Sequence, residues 1–86
     1  MPRPATTLTK VSRGRLLFLN GDFEVAMLAA GAEASDVARE TGVSPSTVRK
    51  WLRGDRVPRA AAASRAAEVY DRLVEQVRSA FREVSA

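Results

Sequence analysis

The stretch VARETGVSPSTVRKWLRG, residues 37–54, decides the fold because it carries the clearest helix start and stop signals in the chain. Gly42 closes a first short helix, since glycine adopts the left-handed backbone conformation without a steric penalty. Ser44 can cap a second helix through its hydroxyl, and Pro45 suits the first helical position, where a backbone N–H has no partner. Gly54 ends that second helix. The stretch therefore predicts two short helices joined by a tight turn.

The two predicted helices span residues 34–41 and 45–53, and each has one apolar side. The first turns Val37 inward, and the second buries Val48 and Trp51, whose spacing places the indole in the core rather than against a base. A helix is about 10–12 Å across and fits the ~12 Å major groove of B-DNA. Two helices in this arrangement form a helix-turn-helix, whose second helix protrudes toward DNA.

The outward side of the second helix carries the polar and basic side chains that a DNA interface requires. Ser46 and Lys50 can hydrogen-bond base edges, and Lys50 can donate to guanine. Side chains expected at the DNA phosphates are Ser44, Thr47, Arg49 and Arg53. Residues 44–65 contain six basic side chains and one acidic one, so Arg56 in the following loop extends a basic block suited to a polyanion.

Residues 31–58 closely resemble the helix-turn-helix of the Cro and lambda-type phage repressor family. The most specific part is the ending Trp51-x-x-Gly54-x-x-x-Pro58, and the resemblance covers roughly residues 22–67. It implies a compact all-helical domain that binds operator DNA, usually as a dimer on a palindromic site. By position, it implies base reading by Pro45, Ser46 and Lys50, and backbone contacts by Thr47, Arg53 and Arg59.

Two positions depart from that family's pattern. The start of the helix over residues 34–41, usually Ser, Thr or Gln, is Glu33 or Ala34 here, which weakens the case for a phosphate contact there. The position of Leu52 is often Glu. The run from Val43 to Val48 also looks like the DNA-binding modules of recombinases and transposases, which usually lack the ending described above.

The composition excludes several classes of function. The chain has 86 residues, with 14 basic and 10 acidic side chains, no cysteine and no histidine. Disulfides, thiol or imidazole catalysis and the usual zinc ligand sets are therefore excluded. We expect no enzyme, no catalytic or metal site, no cofactor and no small-molecule ligand. No apolar run approaches the ~20 residues of a membrane span, so we expect a cytoplasmic protein without a membrane partner.

The segment before the motif allows two interpretations over residues 8–21. Its apolar run is either a strand turned by Asn20-Gly21 or a helix that ends at the same dipeptide. We favour the helix because every downstream segment is helical. A further helix is predicted over residues 22–30, with Asp22 as its cap.

The segment after the motif predicts one long helix, since no Gly or Pro interrupts it from Arg59 to about Ser85. Its apolar stripe, with alternating spacings of three and four, consists of Ala63, Ala66, Tyr70, Leu73, Val77, Ala80 and Val84. The stripe can pack on its own domain, pair with a second copy or lead to another domain. We favour a homodimer, which doubles the DNA contact surface, through Tyr70, Leu73, Val77 and Phe81.

These patterns predict an all-α fold, a small helical bundle with a helix-turn-helix and a long C-terminal helix, and the resemblance implies that the helix-turn-helix is lambda-repressor-like. The expected organisation is a flexible basic tail over residues 1–7, a DNA-binding domain over 8–67 with the helix-turn-helix at 34–53, and a helix over 59–86 as a dimerisation element. The expected function is sequence-specific transcriptional regulation, namely repression, by a protein that binds a double-stranded DNA operator and reads its major groove with the helix over residues 45–53. Two alternatives remain: a phage or mobile-element recombination or packaging accessory, and an antitoxin-like protein-interaction module.

Overall fold

The computed structural model describes residues 8–85, with side chains up to Val84, as five helices joined by short connections. The helices are α1 (Lys10–Leu19), α2 (Asp22–Ala30), α3 (Ala34–Thr41), α4 (Pro45–Arg53) and α5 (Ala60–Ser85). No strand occurs within these residues, and the predicted all-α fold is confirmed. The predicted tail over residues 1–7 lies outside the described part of the chain.

The ambiguous segment over residues 8–21 forms a helix, α1. Thr9 caps it, since the Thr9 hydroxyl accepts a hydrogen bond from the Ser12 N–H at 3.1 Å. Asn20 and Gly21 form the turn into α2, and Gly21 has a φ of 82°, in the left-handed region that favours glycine. Of the apolar run that suggested a strand, Leu17 and Phe18 lie on the buried side of this helix, whereas Leu16 and Leu19 are exposed.

The expected capping of α2 by the Asp22 side chain is wrong. The N-cap position is Gly21, and Asp22 is itself the first helical residue. The Asp22 N–H donates to Asn20 Oδ1 at 2.9 Å, so the side chain of the preceding turn satisfies this backbone donor. Asp22 still favours this helix end, because its negative charge lies in the first turn, where the helix dipole is positive.

The bounds predicted for α2, α3 and α4 agree with the structure at both ends. Each of these helices is followed by a glycine that serves as its C-cap: Gly31, Gly42 and Gly54. Cap signals act over a few neighbouring residues, which is why the sequence alone could place these boundaries.

The core lies where α1 to α4 meet the first half of α5. Phe23, Val37 and Val48 are at most 1% exposed. Phe18 stacks on Phe23 with ring centroids 4.3 Å apart. Trp51 is 2% exposed and lies 5.3 Å from the Phe18 ring, which confirms its predicted place in the core. These contacts hold α4 by one side only.

The crossing of α1 over α5 is unusually close because Gly14 has no side chain. A β-carbon at Gly14 would lie 1.9 Å from the carbonyl oxygen of Ala63, far inside van der Waals contact. Ala63 is itself fully buried. Small residues on both helices therefore set the depth at which the start of α5 enters the fold, beside the loop that follows α4.

Two ion pairs add to the contact between α1 and α5. Lys10 Nζ lies 2.8 Å from Glu68 Oε1, and the Arg13 guanidinium binds both oxygens of Asp71, at 2.9 and 2.7 Å. The hydrogen bond from Lys10 lowers the pKa of Glu68, and the hydrogen bond to Asp71 raises the pKa of Arg13. Both pairs are surface contacts, so they assist the packing rather than replace it.

The long helix α5 has two halves with different environments. Its first half supplies buried residues to the core, the last of which is Leu73. Beyond Leu73 no described side chain is fully buried, and Phe81 and Val84 are 74% and 86% exposed. Within residues 8–85, no helix has both the length and the apolar composition needed to cross a membrane.

Candidate nucleic-acid interface

The start of α4 is fixed by its own first residues. Ser44 Oγ accepts a hydrogen bond from the Thr47 N–H at 3.2 Å, and Pro45 occupies the first helical turn, as predicted. The hydroxyls of Ser44 and Thr47 also lie 3.0 Å apart. Val48 and Trp51 face the core, so the opposite side of the helix faces solvent. Local capping thus presents a well-formed helix end at the surface.

The turn between α3 and α4 is closed by backbone hydrogen bonds to the carbonyl oxygen of Ala38. The N–H groups of Gly42 and Val43 donate to it at 2.9 and 3.2 Å. Gly42 has a φ of 76°, where a β-carbon would be strained. The buried Thr41 hydroxyl donates to the Val37 carbonyl at 2.8 Å and is therefore satisfied. This turn sets the direction in which α4 points from the fold.

The residues predicted to read bases lie on the solvent side of α4. Ser46 is exposed, and Pro45 and Lys50 are partly exposed. Lys50 has no carboxylate within 4.0 Å among the described residues. All three side chains are therefore accessible to a large partner.

The predicted phosphate contacts surround this surface. Thr47 is half-buried, whereas the other five are exposed: Ser44, Arg49, Arg53, Arg56 and Arg59. Arg53 has an acidic neighbour, and its Nε donates to Asp55 Oδ2 at 2.9 Å. A phosphate that binds Arg53 would therefore compete with this carboxylate.

The basic side chains divide sharply into paired and unpaired groups. Seven of the thirteen between residues 8 and 84 form ion pairs: Lys10, Arg13, Arg39, Arg53, Arg72, Arg78 and Arg82. Six have no carboxylate partner among the described residues: Arg15, Arg49, Lys50, Arg56, Arg59 and Arg65. Four of these six belong to α4 and to the connection that follows it. The free positive charge is thus concentrated around the predicted recognition helix.

The other two unpaired arginines come from outside the helix-turn-helix and contact its flanking connections. Arg15 Nε on α1 donates to the carbonyl oxygen of Pro58 at 3.0 Å. Arg65 Nη1 on α5 donates to the carbonyl oxygen of Thr41 at 3.3 Å. The partners are 43 and 24 residues apart in the chain, so no local sequence pattern could have revealed either contact.

The start of α3 carries acidic groups. In the Cro and lambda-type repressor family, which the sequence resembles, this helix start commonly contacts a phosphate. Glu33 is the N-cap residue, and its N–H donates to Asp36 Oδ2 at 2.8 Å. Two carboxylates at this helix end would repel a phosphate, in line with the departure noted from the sequence. In the part of the chain that the structure describes, no group of three or more His, Cys, Asp or Glu side chains could hold a metal ion.

A groove of about 570 Å³ separates α4 from the first turn of α5. Thr47 and Trp51 line it from α4, and Arg59 and Ala62 line it from the α5 side. Arg56 also borders the groove, so two unpaired arginines face the flank of the predicted recognition helix.

The residues predicted for a dimer interface lie in different environments. Leu73 is 5% exposed and belongs to the core of its own chain, which makes it unavailable to a second copy and corrects that expectation. Tyr70 and Val77 are half-buried, and Phe81 is 74% exposed. The apolar stripe of α5 is thus divided between the core and the surface. The spacing of the apolar residues alone does not show which of them are buried.

A second groove, of about 520 Å³, lies between α2 and the exposed half of α5. Its apolar lining includes Val25 on α2 and Val77 and Phe81 on α5. Asp22 borders it from α2, and Arg78 borders it from α5. The sequence did not predict the contribution of α2, because Val25 lies on the side opposite the buried residues that define that helix.

Comparison with protein families matches residues 24–80 to the model described as helix-turn-helix domain, HTH_31. The matched segment covers more than half of the chain and includes α3, α4 and most of α2 and α5. No curated protein and no solved structure matches the chain.

Proposed function

Because the chain belongs to this helix-turn-helix domain family, a DNA-binding family of the Xre/Cro type, we propose that it regulates transcription by sequence-specific binding to a double-stranded DNA operator. The proposed mode of action is repression, by occupation of the operator. The observation that carries the proposal is the concentration of unpaired cations on α4 and the connection after it. Such a surface attracts and orients a polyanion.

Base reading is assigned to the first turns of α4, which enters the major groove. Lys50 donates to O6 and N7 of a guanine, and the Ser46 hydroxyl donates to or accepts from a neighbouring base edge. Pro45 makes an apolar contact at the same end. The cap formed by Ser44 supports this role, because it fixes the helix end from which these side chains project.

Backbone contacts hold α4 in register on the duplex. They are assigned to Ser44, Thr47, Arg49, Arg53, Arg56 and Arg59. Arg56 and Arg59 reach the phosphates from the groove beside α4, and neither forms an ion pair with a described carboxylate. Arg53 exchanges its ion pair with Asp55 for one with a phosphate. The loss of the Asp55 pair offsets part of the energy gained from the phosphate.

A second copy of the chain is the proposed occupant of the apolar groove between α2 and α5. In a two-fold symmetric pair the same patch meets itself, so Asp22 of each protomer can face Arg78 of its partner. Tyr70, Val77 and Phe81 supply the apolar contacts, together with Val25. The dimer presents two copies of α4 to the DNA and implies a palindromic operator.

Selection of bound sites from a pool of random duplexes tests the DNA-binding proposal. The expected result is a recurrent base pattern with two symmetric halves, and loss of the preferred bases in a Lys50→Ala variant. Lys10→Ala serves as the matched control, because Lys10 is a paired lysine on α1 and should leave the pattern unchanged. Failure to bind any duplex at low salt would reject the proposal and favour the antitoxin-like alternative.

Sedimentation of a Phe81→Glu variant tests the proposed dimer. A buried charge at the contact should shift the protein from dimer to monomer, because an unpaired charge is costly to desolvate. Leu19→Glu is the matched control, since Leu19 is an apolar side chain on α1, 59% exposed and away from the groove. Identical sedimentation of Phe81→Glu and the parent chain would reject this interface.

A further inference from the structure

We infer that Arg15 and Arg65 extend the DNA-binding surface beyond residues 44–59. Each uses one N–H group to fix a connection that flanks α4, and each offers the rest of its guanidinium to a backbone phosphate. The inference rests on the proposed DNA-binding function. It adds contacts from α1 and α5 to an interface otherwise formed by the helix-turn-helix and its loop.

Arg15 acts on the connection after α4. Its Nε donates to the carbonyl oxygen of Pro58 at 3.0 Å, and its other N–H groups have no hydrogen-bond partner among the described residues. An arginine carries five N–H donors, so four remain for a ligand. Arg15 is partly exposed, and the carbonyl that it binds belongs to the residue directly before Arg59, a proposed phosphate contact.

Arg65 acts on the connection before α4. Its Nη1 donates to the carbonyl oxygen of Thr41 at 3.3 Å and lies 3.1 Å from the position that a β-carbon on Gly42 would take. The side chain is exposed, and the proposed phosphate contact Ser44 lies three residues beyond Thr41. The guanidinium thus lies against the start of the turn that precedes α4, at Thr41 and Gly42, on an exposed side chain.

Neighbouring arginines on the same helices show the difference between a structural pair and a free cation. Arg13 on α1 binds Asp71, and Arg72 on α5 binds Glu40. Arg15 and Arg65 have no carboxylate within 4.0 Å among the described residues. DNA carries about one negative charge per 1.7 Å of helix axis. An unpaired guanidinium that lies beside residues already in contact with the DNA backbone is therefore close to a further phosphate. The planar arginine fork suits that partner.

The salt dependence of binding to a fixed-sequence DNA duplex tests the inference with Arg15→Gln and Arg65→Gln. Each variant should flatten the slope of log affinity against log salt concentration by about one unit, because one phosphate contact is lost. Arg13→Gln and Arg72→Gln remove the same charge from the same helices and should leave the slope within a few tenths of a unit. Arg15→Lys and Arg65→Lys keep the charge and should restore most of the slope.

Thermal melting of each variant is measured alongside, so that a folding defect is separated from a lost contact. Parent-like slopes for both Arg15→Gln and Arg65→Gln would overturn the inference and leave the two arginines with a purely structural role. Equal flattening in the Arg13→Gln and Arg72→Gln controls would also overturn it, because net charge would then explain the effect. Absence of duplex binding by the parent chain would instead reject the proposed function.

Discussion

α1 and α4 are both short helices with an apolar inner side and a basic outer side, yet their cations have different partners. On α1, Lys10 and Arg13 each bind a carboxylate of α5. On α4, Arg49 and Lys50 have no carboxylate partner among the described residues. The same residue types therefore form ion pairs at two positions of α1 and remain unpaired at two positions of α4. The exceptions are Arg15 on α1, which has no carboxylate partner among the described residues, and Arg53 on α4, which pairs with Asp55.

The cause of this difference is the placement of acidic residues. Glu68 and Asp71, one helical turn apart on α5, lie beside α1. Within residues 44–65 the only acidic residue is Asp55, which pairs with Arg53. A net charge of +4 would not distinguish the two helices, whereas the map of unpaired cations does.

Gly14→Ala should have the largest effect, a loss of unfolding free energy, because it forces α1 away from α5. It changes no charge. The new β-carbon meets the Ala63 backbone, so we expect a loss of about 3 kcal/mol or more in unfolding free energy, beyond the usual cost of overpacking. Gly54→Ala is the control, since nothing lies within 4 Å there and the cost is that of a positive φ alone, about 1–2 kcal/mol. Parent-like urea unfolding of Gly14→Ala would refute the close crossing.

Lys50→Ala should have the next largest effect, and it should act on binding alone. We expect a loss of about 1–3 kcal/mol on the preferred operator and a relaxed base preference, because a base-edge contact is removed. The unfolding free energy should stay within about 0.5 kcal/mol of the parent value. Titrations with preferred and scrambled duplexes measure both quantities, and an unchanged ratio between the two affinities would contradict the assignment.

Asp55→Asn should strengthen DNA binding, because it frees Arg53 from its carboxylate. An exposed ion pair contributes up to about 1 kcal/mol, so affinity should rise by at most about fivefold on every duplex, without a change in base preference. Asp71→Asn frees Arg13 on the opposite helix and should leave affinity nearly unchanged. Weaker binding by Asp55→Asn would show that Asp55 positions Arg53 rather than competing for it.

The smallest expected effect is an acid dependence of folding that originates at Glu68. The hydrogen bond from Lys10 lowers the pKa of Glu68 in the folded chain. Its contribution to stability is therefore present above the unfolded pKa and is lost as the pH falls through the folded pKa. Glu68→Gln should remove this part of the pH dependence, measured by thermal melting across the acidic range. Identical pH profiles for the variant and the parent would show that the pair contributes nothing.

The parts of the fold that the sequence predicted are those governed by local chemistry. Ser44, Pro45 and Gly42 act on their immediate neighbours, so the bounds of α3 and α4 and the outward side of α4 followed from them. The secondary structure of residues 8–21 was harder to predict, because Asn20-Gly21 can end a hairpin strand or a helix equally well. Tertiary contacts with the rest of the fold decide between these alternatives.

Contacts between distant segments were not predictable in the same way. The spacing of Leu73 fits a buried position in its own chain and a contact with a second copy equally well, and only the packing of α2 and α3 on α5 separates the two. Arg15 and Arg65 reach across 43 and 24 residues to carbonyl oxygens, which leave no trace in a residue pattern. In particular, whether a basic side chain has an acidic partner depends on which segments meet in the folded chain.

Mapping of backbone amide chemical shifts during titration with an operator duplex tests directly whether the exposed side of α4 binds DNA. The expected result is that the largest changes occur from Ser46 to Lys50, further changes from Arg56 to Arg59, and almost none around Asp71 on α5. Changes confined to the groove between α2 and α5, with the amides of α4 unmoved, would contradict it.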